Sequence, residues 1–161
     1  MRERRFDDAR AVLTVSLEGF ERLQSARSII GVRYRLAMLA FETDDLAGGR
    51  ALATRGVEDT QSEKWARLEG FNRRLLGDVA RRTGDLDEAR SQYDEALRLV
   101  PPTDMRIHAA IELSLAQLEA DAGNGAAART RAVVAQGHFE KLRMPKEAEI
   151  ARRLAARLKA S

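Results

Sequence analysis

Residues 70–103 read GFNRRLLGDVARRTGDLDEARSQYDEALRLVPPT and carry the signals for two consecutive helices. Apolar side chains recur at helical spacing until Gly84, whose missing Cβ suits the left-handed position that ends a helix. Asp85 stands where a side chain caps the next helix, and that helix continues until Pro101 stops it. The stretch therefore predicts a helical hairpin.

Other parts of the chain repeat this hairpin at regular intervals. Residues 83–90 have a later counterpart at 122–129. Residues 86–90 have an earlier counterpart at 6–10, two periods before them. The period of about 40 residues that these matches imply is typical of arrays in which helix pairs stack on one another.

The repeats predict a layout that fills residues 1–161 as a single domain. It consists of a half repeat at 4–23, a first repeat at 25–57, a second and clearest repeat at 61–103, a third repeat at 103–143 and a C-terminal capping helix at 146–159. Within the first repeat, Asp44 is the predicted stop and Asp45 the predicted cap. Within the third repeat, Gly123 is the predicted stop and Asn124 the predicted cap.

The second repeat resembles a known family. It matches the spacings of the tetratricopeptide repeat signature at Leu76, Gly77, Gly84, Ala89, Tyr93, Ala96 and Pro101. The third repeat departs from that pattern, because Glu112 and Glu119 stand where apolar residues are usual. The period of about 40, against about 34 in the family, is similar to that of the longer repeats in large bacterial ATP-dependent transcriptional regulators and signalling ATPases.

The resemblance implies an all-α fold, a right-handed α-solenoid of stacked antiparallel helix pairs with about eight helices. It also implies the usual role of such repeats, which is to bind proteins or peptides without catalysis. A small-effector sensing module of a signalling ATPase or transcriptional regulator is the alternative from a different functional class.

The composition offers little chemistry for catalysis or metal binding. The chain has no Cys, and its two histidines, His108 and His138, stand on different predicted helices, so a metal site would need further ligands from the fold. Residues 123–128 match the G-x-G-x-x-A pattern of dinucleotide sites, but a predicted helix precedes them instead of a strand. We therefore expect no enzyme activity, no metal and no cofactor.

The charge and hydropathy of the sequence restrict the classes of partner that the chain can bind. The 28 basic and 25 acidic residues are interleaved, whereas binding driven by counterion release favours clustered positive charge. RNA binding is therefore a weaker hypothesis and nucleic acid an unlikely partner. We find neither a leader sequence nor an apolar run of about 18 residues, so we expect a soluble, cytoplasmic protein with no membrane partner.

A solenoid has a concave surface, which the first helix of each pair lines. Equivalent positions on the predicted first helices give this surface three segments. The first repeat supplies an apolar aromatic end with Tyr34, Met38 and Phe41. The second supplies a charged middle with Phe71, Arg74, Asp78 and Arg81, and the third supplies Leu113 and Gln117. Arginine can hold a carboxylate, while aromatic rings and methionine offer adaptable contact, which favours a peptide or protein partner. In the alternative interpretation, Phe41 and Phe71 only pack between neighbouring repeats.

The N-terminal half repeat corresponds to the second helix of a pair. Val12 and Val15 lie off its predicted packing stripe, on the side that a preceding helix would cover. We therefore predict that this face either pairs with a second copy, giving a homodimer, or continues into further repeats of a longer chain.

Overall fold

The computed structural model describes the backbone of residues 2–158 and the side chains of residues 5–158. In this range it has eight α-helices and no strand: α1 (Arg2–Arg22), α2 (Ala26–Glu42), α3 (Leu46–Ser62), α4 (Ala66–Arg82), α5 (Leu86–Leu99), α6 (Met105–Asp121), α7 (Gly125–Lys141) and α8 (Pro145–Arg157). The predicted all-α fold is confirmed. Residue 159, the predicted end of the last helix, lies outside the described residues.

Consecutive helices pack against each other along the whole described chain, and α4 also contacts α2 and α6. Only three residues connect most of the helices, so neighbours reverse direction and run antiparallel. The pairs α2–α3, α4–α5 and α6–α7 therefore stack as a solenoid, with α1 before them and α8 after them. The first helices of the pairs stand side by side on one surface.

One type of turn ends six of the helices. A residue with positive φ donates its N–H to the carbonyl three residues back, and the next residue donates to the carbonyl five residues back, as in Lys64 to Gln61 and Trp65 to Thr60. The positive-φ residues are Gln24, Asp44, Lys64, Gly84, Gly123 and Arg143. The first four of these turns are evenly spaced along the chain, at half the predicted period.

The predicted boundary between the first and second repeats is wrong. α3 continues to Ser62 instead of ending at 57, and α4 begins at Ala66 instead of 61. The intervening turn places Lys64, with φ of 57°, at the position that glycine usually fills. Without a glycine, this turn gives no strong signal in the sequence. Trp65 consequently lies half-buried at the N-cap of α4 and not on the helix itself.

Small residues allow the paired helices to approach closely. In the second repeat a Cβ on Gly77 of α4 would lie 2.5 Å from Cε1 of Tyr93, which is fully buried on α5. In the first repeat the buried residues Gly49, Ala53 and Gly56 lie along α3. The irregular first repeat therefore packs through small side chains where the second repeat uses a large one.

Two predicted caps form and one does not. The side chain of Asp45 accepts from the Gly48 N–H, and that of Asp85 accepts from the Glu88 N–H at 3.0 Å. Asn124 makes no such cap on α7, because its Nδ2 donates to Oε2 of Glu119 at 2.9 Å. That buried glutamate of the third repeat also accepts from the Arg90 guanidinium, at 2.8 Å. A carboxylate at an ordinarily apolar position is thereby satisfied.

Candidate binding cavity on the concave surface

The first helices α2, α4 and α6, together with α7 and α8, line a cavity of about 630 Å³. All nine side chains predicted for the concave groove lie on it: Tyr34, Met38, Phe41, Phe71, Arg74, Asp78, Arg81, Leu113 and Gln117. The repeat offsets therefore identified one continuous surface. The structure adds lining residues that the sequence did not indicate, among them Arg67, Asp104, Arg106, Ser114, Met144, Glu147 and Ile150.

One end of the cavity, which we call the aromatic subsite, is formed by Tyr34, Met38, Phe41 and Phe71. The Tyr34 and Phe71 rings lie 5.8 Å apart between centroids, at 56° to each other. Phe41 and Phe71 are half-buried and also pack against the cores of neighbouring repeats. Each of the two rings therefore packs between repeats and also lines the cavity. The two interpretations that the sequence left open, groove lining and packing, both apply.

Arginines cover both phenylalanine rings. The guanidinium carbon of Arg82 lies 4.9 Å from the centroid of Phe41, and that of Arg67 lies 5.2 Å from the centroid of Phe71. Arg82 is paired with Asp44, and Arg67 with a carboxylate at the start of α6. These cation–π contacts hold the two phenylalanine rings in place and leave Met38 as the more adaptable part of the subsite.

The centre of the cavity is a polar ridge formed by Arg74, Asp78, Arg81 and Ser114. Asp78 accepts three hydrogen bonds: from Arg74 Nη1 at 2.7 Å, from Tyr93 Oη at 2.7 Å and from Ser114 Oγ at 2.9 Å. The Arg74 and Asp78 side chains are only 16% and 9% exposed. A buried ion pair thus joins α4 to α5 and α6.

Electrostatics keep this network in one charge state. Burial alone would lower the pKa of Arg74, but the Asp78 carboxylate together with the Tyr34 and Tyr93 side chains outweighs it and raises the pKa above the ordinary arginine value. Burial, reinforced by the same carboxylate, raises the pKa of Tyr93 well above the ordinary tyrosine value. The guanidinium stays charged and the phenol stays neutral at physiological pH.

Arg81 is also paired within the chain. Its Nη1 donates to Oδ2 of Asp121 at 2.7 Å. Burial alone would lower the pKa of Arg81, but this hydrogen bond together with the neighbouring Tyr93, Asp121 and Asp78 raises it. The two ridge arginines therefore already have carboxylate partners. The sequence predicts that these arginines hold a carboxylate of the ligand. Such a carboxylate would have to compete with Asp78 and Asp121 for the two guanidinium groups.

Several contacts on the ridge join equivalent positions of successive repeats. Arg74 lies within hydrogen-bond distance of Tyr34, one repeat before it, and of Ser114, one repeat after it. Arg81 and Asp121 are also separated by one full period. Hydrogen bonds between the first helices of three successive repeats thus stabilise the concave surface, in addition to the packing within each helix pair.

The other end of the cavity, which we call the C-terminal subsite, is apolar and is formed by Ala110, Leu113, Met144 and Ile150. The spacing of Ile150, Ala151, Leu154 and Leu158 in the sequence predicts one apolar packing stripe on the last helix. The structure instead leaves Ile150 51% exposed on the cavity wall. Arg106 and Glu147 stand at the edge of this subsite, and neither forms an ion pair with any described residue. The prediction for Ile150 is wrong because the sequence indicated α8 only as a capping helix and did not indicate that it lines the cavity.

The outer face of α1 is apolar and open. Val12 and Val15 are 65% and 66% exposed, and Leu23 lies exposed on the turn after the helix. We call these three residues the N-terminal face. The exposure that the sequence predicted for both valines is confirmed. The contact that would cover them, with a second copy or with further repeats, stays a prediction.

The two histidines and the glycine-rich match at residues 123–128 do not line the cavity. No group of three His, Asp or Glu side chains in this part of the chain could hold a metal ion. His108 Nε2 lies 3.0 Å from the carbonyl oxygen of Val100. The G-x-G-x-x-A match at residues 123–128 falls on the turn between α6 and α7. None of the helices in the described part of the chain could cross a membrane.

Comparison with known proteins gives no relative: neither a protein-family model nor a curated protein matches the chain.

Proposed function

We propose that the chain is a non-catalytic scaffold that binds a segment of a protein or peptide in its concave cavity, as tetratricopeptide-like repeats do. In this proposal it serves as a module of a larger bacterial regulatory protein. The observation that supports it best is the cavity of about 630 Å³, which collects side chains from five helices: α2, α4, α6, α7 and α8. Repeat arrays commonly use such concave surfaces for binding.

The distribution of apolar surface supports binding at this site. The C-terminal subsite leaves Ile150 half-exposed beside Met144 and Leu113, and the aromatic subsite offers Met38. Apolar side chains gathered in a concavity gain free energy when a partner covers them, and polar groups between them orient that partner.

A displayed library of random peptides tests the proposal. Peptides enriched on the wild-type chain should be lost with Ile150→Lys, which places a charge in the cavity. Val133→Lys is the matched control, because Val133 is 52% exposed on α7 and does not line the cavity, whereas Ile150 is 51% exposed. Enrichment that survives Ile150→Lys, or no enrichment at all, would contradict the proposal.

A second candidate function is the sensing of a small effector. The cavity volume of about 630 Å³ falls within the range of roughly 300–1,000 Å³ that is usual for small-molecule sites. Thermal unfolding in the presence of a metabolite collection separates the two functions. A rise in melting temperature with a metabolite that Ile150→Lys abolishes, combined with no enriched peptide, would favour the effector.

We further propose that the N-terminal face is a contact with a second copy or with preceding repeats. In later repeats the positions equivalent to Val12, which are Leu52, Gln92 and Arg131, face the first helix of their own pair. Gln92 accepts from Arg73, and Arg131 donates to Glu112. No described helix covers Val12 and Val15 on α1, so this exposed face suits contact with another helix.

A further inference from the structure

The chemistry of the cavity specifies the segment that fits it, provided that the proposed function holds. Two apolar subsites stand at its ends, and the polar ridge separates them. The charge of the ridge, the distance between the subsites and the volume of the cavity each restrict the occupant independently.

The ridge is electrically balanced. Arg74 and Arg81 each donate to a carboxylate of the chain at 2.7 Å, and the lining as a whole has four arginines and four carboxylates. An acidic ligand would have to displace Asp78, which also holds Tyr93 and Ser114. A basic ligand would find the same carboxylates already occupied. An uncharged stretch therefore complements the ridge best.

The distance between the subsites sets the spacing of apolar side chains. The aromatic subsite lies between α2 and α4, and the C-terminal subsite lies between α6 and α8. Neighbouring packed helices are about 8–10 Å apart, so the two subsites lie roughly 16–20 Å apart. An extended chain rises about 3.3 Å per residue, which corresponds to about five or six residues. Because alternate side chains point to opposite sides, two anchors on one side are about six residues apart.

The volume favours an extended chain over a helix. A helix of about 10 Å diameter and about 20 Å length occupies roughly 1,600 Å³. A single strand with its side chains, about 5 Å by 10 Å in cross-section, occupies roughly 1,000 Å³ over the same length, and half of its side chains point outwards. Because the cavity is open on one side, about half of either segment lies inside it, roughly 500 Å³ of the strand and roughly 800 Å³ of the helix. The cavity of about 630 Å³ therefore accommodates the inner half of the strand and is smaller than the inner half of the helix.

We propose that the cavity binds an extended, uncharged segment that has large apolar side chains at positions i and i+6. One anchor lies in the aromatic subsite and the other in the C-terminal subsite. The residues between them cross the polar ridge, where small or neutral polar side chains meet Arg74, Ser114 and Gln117.

The pattern within peptides enriched on the whole chain tests this inference. The expected result is a pair of large apolar residues six positions apart with no charged residue between them. Acidic or basic residues between the anchors would overturn it, and so would apolar spacings of three, four or seven, which are typical of a helix.

Synthetic versions of an enriched peptide make the test quantitative. Moving one anchor by a single position, with the composition unchanged, should weaken binding at least about tenfold, since one large apolar side chain then points away from its subsite. Replacing a central residue by aspartate should also weaken it. Equal affinity for the shifted peptide would overturn the inference.

The two proposals fail in different ways. Enriched peptides that Ile150→Lys abolishes, but that lack the expected spacing or are charged, would overturn this inference and leave the proposed function in place. The absence of enrichment, or enrichment that survives Ile150→Lys, would overturn both.

Discussion

The Asp78→Asn substitution should destabilise the fold far more than the same substitution at Asp121. Both aspartates accept from an arginine Nη1 at 2.7 Å, but their side chains are 9% and 46% exposed. The asparagine amide keeps the shape of the carboxylate and removes its charge. The comparison therefore contrasts a buried, multiply bonded carboxylate with a half-exposed one that has the same distance to its arginine.

The loss in the free energy of unfolding depends on the environment of the arginine that each substitution leaves without a carboxylate. Without the Asp78 carboxylate, the Arg74 guanidinium is a buried cation with only long contacts to Tyr34 and Ser114, at 3.4 and 3.5 Å. Removing one partner of a buried pair lowers the free energy of unfolding by about 3–5 kcal/mol. Loss of an exposed pair, as in Asp121→Asn, costs about 0–1 kcal/mol.

Urea unfolding followed by far-ultraviolet circular dichroism measures both losses. Adding Arg74→Met to Asp78→Asn should recover part of the lost stability, because the unpaired buried charge is then removed. Equal losses for the two single substitutions, or no recovery in the double variant, would refute the claim that the ridge contains a buried ion pair.

Three further predictions concern packing and assembly. Gly77→Ala should lower the free energy of unfolding by about 1–3 kcal/mol, because the new Cβ would lie 2.5 Å from the Tyr93 ring. Gly137→Ala should raise it by up to about 1 kcal/mol, since nothing lies within 4 Å of that position in α7, and a destabilised variant would contradict the open surface described there. Val12→Asp combined with Val15→Lys should convert a dimer into a monomer in light scattering without loss of helicity, whereas a wild-type chain that is already monomeric would exclude self-pairing through the N-terminal face.

The periodicity of the sequence predicted the fold and much of the cavity for a physical reason. Repeats that stack in a regular array bring equivalent positions side by side, so positions one period apart in the sequence are also spatial neighbours. Tyr34, Arg74 and Ser114 show this directly, since each is one period from the next and in contact with it. Gly84, with φ of 87°, marked its turn correctly because only glycine adopts this conformation without strain.

The errors have equally specific causes. Lys64 occupies the same left-handed position without being glycine, so the end of α3 could not be located from residue type. The internal pairing of Arg81 with Asp121 depends on the stacking of α4 on α6, which residue spacing within one helix does not reveal. Ile150 was assigned to the core because periodicity identifies an apolar stripe but not which of its residues a neighbouring helix covers.

The central claim is that a partner segment lies along the cavity and occupies both subsites. Methionine methyl resonances test it most directly, because Met38 and Met144 line opposite ends of the cavity while Met105 does not line it. When the chain with labelled methionine methyl groups is titrated with an enriched peptide, the Met38 and Met144 resonances should both shift and Met105 should not. A shift of Met105 with both cavity methionines unchanged would show that the partner binds elsewhere and would contradict the account.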